Sequence, residues 1–190
     1  MPISSTLGDL HDICQGAIDE AATAHPDCTF ELLCGGDTIG DFDGARLSQV
    51  LSNLLNNAAQ YRSDQKPVTL KASSNKTEWN ITVTNFGREI PREFQRAIFD
   101  PLVQLSVSAD QKGPATTSLG LGLFIAREIT VAHGGLISVE SSKKMVRYSP
   151  FRYRAHLIQG SKAAGSPSLR DWEQILTSGQ AVQTTITDEP

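Results

Sequence analysis

Two asparagines four residues apart, Asn53 and Asn57, lie in the run Leu51-Ser52-Asn53-Leu54-Leu55-Asn56-Asn57-Ala58-Ala59-Gln60-Tyr61. At that spacing they share one stripe of a helix, while Leu47, Val50, Leu51, Leu54, Leu55 and Ala58 form its apolar face. Asparagine is a mediocre helix former, so two amides aimed the same way suggest a shared task. A side-chain amide oxygen suits a hard cation such as Mg2+, alongside phosphate oxygens and water. The plain alternative is a helix end rich in polar caps. Further along, Gly120 and Gly122 stand just before Leu123, Phe124, Ile125, Ile129 and Val131, an apolar pattern that opens another helix. Glycines there let backbone amides approach a phosphate, which the helix dipole also favours. A Gly-Leu-Gly run is weak evidence alone, since glycine is common in any loop. Its place after a long polar stretch and before a clean helix gives it weight.

These groups need elements to hold them. Between the two blocks, Trp79-Asn80-Ile81-Thr82-Val83-Thr84 alternates like a half-buried strand. It ends in the turn Asn85-Phe86-Gly87-Arg88-Glu89-Ile90-Pro91, which presents Asn85 at the strand tip. The periodicity predicts helices over 7–24, 43–61 and 120–133, with a short one at 91–99. Gly134-Gly135 stops the third long helix by supplying left-handed geometry. Strands are expected over 29–33, 68–72, 79–84 and 136–141. Mixed strands and helices with one apolar face each imply an α/β two-layer sandwich, a mixed sheet packed on about three helices.

Composition bounds the rest. A chain of 190 residues fits one domain with a tail, divided here as 1–145 and 146–190. A net charge of −4 and the lack of any basic run give no case for nucleic acid. Cys14, Cys28 and Cys34 are odd in number and lack metal spacing, as expected of reduced cytoplasmic thiols. Neither a signal peptide nor a membrane-length apolar run is seen, so direct membrane contact is not expected.

The order of the motifs resembles the ATP-binding catalytic domain of bacterial sensor histidine kinases, within the GHKL superfamily. Residues 47–61 look like the N box, 83–91 the first glycine box, Phe99-Asp100-Pro101 the F box, and 119–123 the second glycine box; the likeness runs over 7–142. The resemblance implies the Bergerat ATP-binding fold with ATP and Mg2+ as ligands. It gives Asn57 the metal, with Asn53 beside it as the catalytic candidate. Tyr61, Asn85, Gly87 and Ile90 would border the nucleotide, and Leu119, Gly120, Leu121, Gly122 and Leu123 would close over phosphate. Residues 102–118 would form a lid, with Lys112 either a phosphate contact or simply a solvated side chain. The partners implied are a separate dimerisation and phosphoacceptor domain and, indirectly, a response regulator, with this chain itself a monomer.

The departures from that pattern also carry information. An aspartate usually accepts the adenine amino group's hydrogen bond, and here Asn85 replaces it, keeping an acceptor oxygen without the charge. Glu89 and Ser118 stand where glycines are usual, and Gln60 where many relatives are basic near phosphate. The form Val-x-Asn-x-Gly-x-x-Ile-Pro looks like a branch of these kinases that includes phytochrome-type photosensors. None of His11, His25, His133 and His156 lies in a Ser-His-Glu-like phosphoacceptor box, so the chain is expected to act on a histidine elsewhere. Two other readings stay open: a degenerate partner-docking module without kinase activity, and another GHKL enzyme such as a serine kinase or chaperone-type ATPase.

The C-terminus departs furthest. The family usually ends in a strand of the type Asp-Gly-Thr-x-Phe-Thr-Val-x-Leu-Pro, whereas this chain continues Lys143-Lys144-Met145-Val146-Arg147-Tyr148-Ser149-Pro150-Phe151-Arg152-Tyr153-Arg154. Met is ATG and Val begins GT, so the codon straddling them in the shifted frame is GGT, glycine. With permitted third bases that frame continues Thr-Val-Phe-Thr-Val-Ser-Leu-Pro, which points to a one-nucleotide frameshift within 142–144. Phe151, Tyr153 and Ala155 alternate with Arg152, Arg154 and His156, so an edge strand is expected, Pro150 and the arginines suiting an edge better than a centre. Beyond Gly160, Gly, Ser, Ala, Gln and Thr dominate, and disorder is expected, with a brief helix over 169–176.

Overall fold

The computed structural model describes residues 3–62, 65–74, 78–103, 120–142 and 145–153. The elements run β1 (Thr6–Asp9), α1 (Leu10–Ala24), β2 (Phe30–Gly35), β3 (Ile39–Phe42), α2 (Gly44–Gln60), β4 (Val68–Ser74) and β5 (Trp79–Asn85). A 3-10 turn (Ala97–Phe99) precedes α3 (Gly122–Ala132), β6 (Ser138–Ser142) and β7 (Met145–Tyr153). A five-stranded sheet has the order β2-β4-β5-β7-β6, and β1 and β3 form a separate antiparallel ribbon. The β2–β4 pair is parallel and the remaining pairs of the large sheet are antiparallel, so the sheet is mixed.

The core lies between that sheet and the three helices. α2 buries Leu47, Val50, Leu51, Leu54, Leu55, Ala58 and Ala59 along one side. Val68, Leu70 and Ala72 of β4, with Trp79, Ile81 and Val83 of β5, supply the facing layer. The alternate residues of both strands are only partly buried, which is the period-two pattern of a strand covered on one face. α1 adds Leu10, Cys14, Ala17, Ile18 and Ala21, and α3 adds Ala126 and Ile129. The two-layer α/β sandwich expected from the sequence is the observed architecture.

Four local differences have physical causes. The first helix begins at Leu10, because the Asp9 carboxylate accepts the His11 N–H at 2.8 Å and caps it. Thr6–Asp9 instead pairs with Ile39–Phe42, two short strands in which Gly8 and Gly40 dilute the β pattern. Only Ala97–Phe99 of the helix expected over 91–99 forms, as a single 3-10 turn. α3 starts two residues later than expected and ends at Ala132. Its stop is as anticipated: Gly134 has φ +73°, and Gly134 and Gly135 donate back to Val131 and Thr130.

The fourth difference is β7, which is no edge strand. It lies between β5 and β6 and runs through the 145/146 division, with Val146 buried in the core. Ile81 faces Phe151 and Val83 faces Tyr148, so Ser149 and Pro150 together oppose Thr82. That extra residue is a β-bulge, and pairing with β6 already ends at Ser149. Pro150 thus falls where the ladder is interrupted on one side and finished on the other, a position a proline tolerates inside a sheet. The expected disorder beyond Gly160 and the helix over 169–176 lie outside the described residues.

Candidate functional site

α2 carries the first group of site residues, and its register is fixed at its start. The Asp43 carboxylate accepts the Arg46 N–H at 3.1 Å as N-cap and the Ser4 N–H at 3.0 Å from the chain start. These two backbone donors hold the Asp43 carboxyl below the usual carboxylate range. Counting from that cap, Asn53 and Asn57 stand four residues apart on one stripe of α2, and both are partly buried. Tyr61 closes the helix as C-cap and is 39% exposed.

The far end of α2 is laced to the loop after β5. Arg62 and Gly87 form an isolated antiparallel bridge, and the Arg62 guanidinium donates to the Asp27 carbonyl at 2.6 Å. Gly87 packs so closely that a Cβ there would run into the Tyr61 carbonyl and approach Asn85 Nδ2 to 3.0 Å. The glycine is therefore required by close approach of backbone. Asn85, the last residue of β5, is 1% exposed, and its Oδ1 is buried with no hydrogen-bond partner among the described residues. A buried amide oxygen left unpaired costs free energy until something donates to it. Beside it the Lys66 ammonium sits 4.2 Å from the centre of the Phe86 ring, and the Ile90 side chain is buried.

α3 faces the middle of α2. Gly120 has φ +67°, a left-handed geometry that glycine adopts without strain, and Leu121 is the N-cap of a helix with no side-chain cap and no acidic residue in its first turn. α1 and α2 are each capped by an aspartate, whereas among the described residues no side chain caps the electropositive start of α3. A Cβ on Gly122 would lie 3.4 Å from Asn53 Oδ1, and Asn53 Nδ2 is buried without a partner among the described residues. Leu123 is partly buried against the core.

The fold thus joins the sequence motifs in two places. Asn53 meets Gly122 where α3 begins, and Tyr61 meets Gly87 and Asn85 at the other end of α2. Lys112 and Leu119 lie outside the described residues. Three further residues, Arg127, Ser141 and Gln95, carry side-chain contacts here that the sequence reading had not singled out. Arg127 of α3 lies 3.8 Å from Asp100 of the F box, and Ser141 and Gln95 bind the two backbone groups of Ile90. Ser141 is brought to Ile90 by tertiary pairing across 51 residues, which no local pattern announces, whereas Gln95 reaches Ile90 from only five residues on, across a turn.

The cysteines stand apart from this site. Cys14, Cys28 and Cys34 are free thiols. Burial pushes the Cys14 thiol up to about 12 and raises Cys34 in the same direction. Among the histidines, His25 Nε2 is 2.9 Å from Asn56 Oδ1 and His133 Nδ1 is 2.8 Å from the Ile129 carbonyl oxygen. Among the described residues no helix is long and apolar enough to cross a membrane.

Residues 42–157 match the model of the family described as histidine kinase-, DNA gyrase B- and HSP90-like ATPase. The chain is 33% identical over 141 residues to the adaptive-response sensory kinase SasA of a Synechococcus species, covering 73% of this chain and 33% of that protein. It is 31% identical over 167 residues to the probable sensor histidine kinase TcrY of Mycobacterium tuberculosis, covering 87% and 34%. It therefore spans about a third of the length of these relatives. Among solved structures, the mycobacterial sensor histidine kinase MprB superposes with a TM-score of 0.65 at 16% identity, covering 80% of this chain and 99% of that one. The catalytic domain of the histidine kinase ThkA gives a TM-score of 0.62 at 23% identity, covering 79% and 99%. The match over residues 42–157, with the two asparagines of α2 and the two glycines opening α3 inside it, places the chain in the histidine kinase-, DNA gyrase B- and HSP90-like ATPase family, as an ATP-binding catalytic domain of the sensor-kinase kind.

Proposed function

We propose that this domain binds ATP with Mg2+ along α2, between α3 and the loop after β5, and delivers the γ-phosphate to a histidine on a separate dimerisation and phosphoacceptor domain. The observation that carries the reading is the meeting of Asn53 with the uncapped start of α3 at Gly122. There, oriented amides and a positive helix end are offered to an anion, with no carboxylate of the described residues capping them. The residues present suit the metal too: Asn57 supplies a hard amide oxygen on the same stripe as Asn53. Mg2+ bound there would neutralise charge between the phosphates. At the other end, the unpaired Asn85 Oδ1 provides the acceptor that a purine amino group would satisfy. Tyr61 and Ile90 would flank the base, while Gly87 keeps the loop against the end of α2. The two asparagines and the glycines bind and orient; proton abstraction from the receiving histidine belongs to the partner domain. Response-regulator phosphorylation would follow downstream, and the setting is the cytoplasm, where ATP is available.

Calorimetry with Mg-ATP on this chain tests the reading, with Asn57→Ala alongside. Saturable binding that depends on Mg2+ and on Asn57 is expected, as is phosphate transfer to a histidine when a phosphoacceptor domain from a related kinase is supplied. A folded chain that does not bind nucleotide would favour the docking-module alternative, which Asn85, Glu89 and Gln60 make chemically coherent.

A further inference from the structure

The loop that carries Asn85, Gly87 and Ile90 is held at both ends. At one end the Arg62 bridge and the Tyr61 carbonyl fix Gly87. At the other, both backbone groups of Ile90 are engaged by side chains: its N–H donates to Ser141 Oγ at 2.8 Å, and its carbonyl accepts from Gln95 Nε2 at 3.0 Å. Only Arg88 and Glu89 between these anchors are exposed.

Ser141 is placed by the sheet. It pairs with Val146 on β7, which pairs in turn with Asn85 on β5, so Asn85, Val146 and Ser141 form one row across three strands. The row begins at the buried amide and ends at the hydroxyl that ties the loop back. β6 is the edge strand and joins the sheet through β7. The position of that hydroxyl is therefore set by the strand whose sequence departs furthest from the family's usual ending.

We propose that Ser141 is a positioning residue for nucleotide binding: through Ile90 its hydroxyl sets the shape of the base-side loop, and β7 sets where that hydroxyl stands. The inference rests on the reading above that this loop borders the nucleotide. A backbone hydrogen bond of this kind contributes modestly to a folded state. Its loss leaves the Ile90 N–H without its acceptor and lets the 88–90 segment drift, so the effect falls on the geometry of the loop.

The test uses the full chain with Ser141→Thr and Ser141→Val. These variants match in shape and in suitability for a strand and differ in the hydroxyl alone. Mg-ADP affinity is measured by calorimetry across a series of Mg2+ concentrations, beside thermal melts. The Thr variant is expected to bind like the wild type and the Val variant about three- to ten-fold more weakly, with the Mg2+ dependence unchanged because the phosphate end is untouched. Gln95→Ala, which removes the opposite anchor, is expected to weaken binding in the same way. Equal affinities for the Thr and Val variants beside a binding wild type would overturn this inference alone. Should the Val variant not fold, wild-type affinity in Gln95→Ala would overturn it. No binding by the wild-type chain would overturn the proposed function, and this inference with it.

Discussion

At the scale of single residues, the candidate site offers neutral oxygens, and at Asn85 one stands where the family usually has an aspartate. Asn57 and Asn85 offer amide oxygens, and a neutral oxygen can be buried or half-buried without the desolvation a carboxylate incurs. Asn57→Ala removes the amide oxygen that the proposed reading gives to Mg2+, from a partly buried position on α2. It is expected to weaken Mg-ATP binding by at least about ten-fold while shifting the melting temperature little, since substitutions away from the core stay near ±0.5 kcal/mol. Calorimetry and a thermal melt on the same sample separate the two effects. Gly87→Ala should do both kinds of damage, because its Cβ would enter the Tyr61 carbonyl, which is backbone and cannot swing aside. A loss of roughly 1–3 kcal/mol in stability, read by urea denaturation, should accompany the loss of nucleotide affinity. Asn53, Asn57, Gly120 and Gly122 were legible in the sequence because their meaning lies in spacing along one helix or at one helix start. Ser141 and Gln95 were not, because a hydroxyl in a strand and an amide in a turn acquire a role only when the fold brings Ile90 between them.

At the scale of elements, caps decide what periodicity leaves open. The long helices were legible from their apolar stripes, yet Leu7 fitted the stripe of α1 and still belongs to a strand. The Asp9 cap ends the choice, since its carboxylate satisfies an amide that a longer helix would have used internally. Asp43 does the same for α2 and thereby sets where Asn53 and Asn57 stand. Asp43→Ala is expected to cost about 0.5–2 kcal/mol, measurable as a lower urea midpoint with an unchanged m-value. The hydrogen bonds that lower the Asp43 pKa fix the sign of its pH dependence: the folded form releases the proton more readily than the unfolded one. Its contribution is complete above the ordinary aspartate value near 4 and disappears as pH falls through the lower folded value. The stability gap between wild type and Asp43→Ala should therefore narrow on acidification below about pH 4; a gap that stays constant down to pH 2 would exclude the cap as its source.

At the scale of the whole molecule, β7 connects the sheet to the site. It supplies the partner of β6 and covers the edge of β5, so a chain ending at Ser142 would expose β5 and leave β6 without a ladder. That truncation is expected to abolish the cooperative thermal transition. Sequence reasoning placed β7 at an edge because arginines and a proline are poor material for a central strand; the bulge at Ser149 and Pro150 is a tertiary solution that composition cannot show. Even so, a strand rich in Arg, Ser and Pro contributes less to a central ladder than one of β-branched and aromatic residues. The shifted reading of the same region, Gly-Thr-Val-Phe-Thr-Val-Ser-Leu-Pro, is such a strand. We infer that it is the strand from which a one-nucleotide frameshift diverted this chain. A chimaera carrying it in place of residues 146–154 should melt higher, by about 2–4 °C for each kcal/mol gained in a chain of this size. Nucleotide should also bind more tightly, because β7 positions β6 and β6 carries Ser141. A chimaera no more stable than the natural chain would show that the arginine-rich strand is already fitted to its place, and codons in the gene that break the shifted reading would say the same from the nucleic acid.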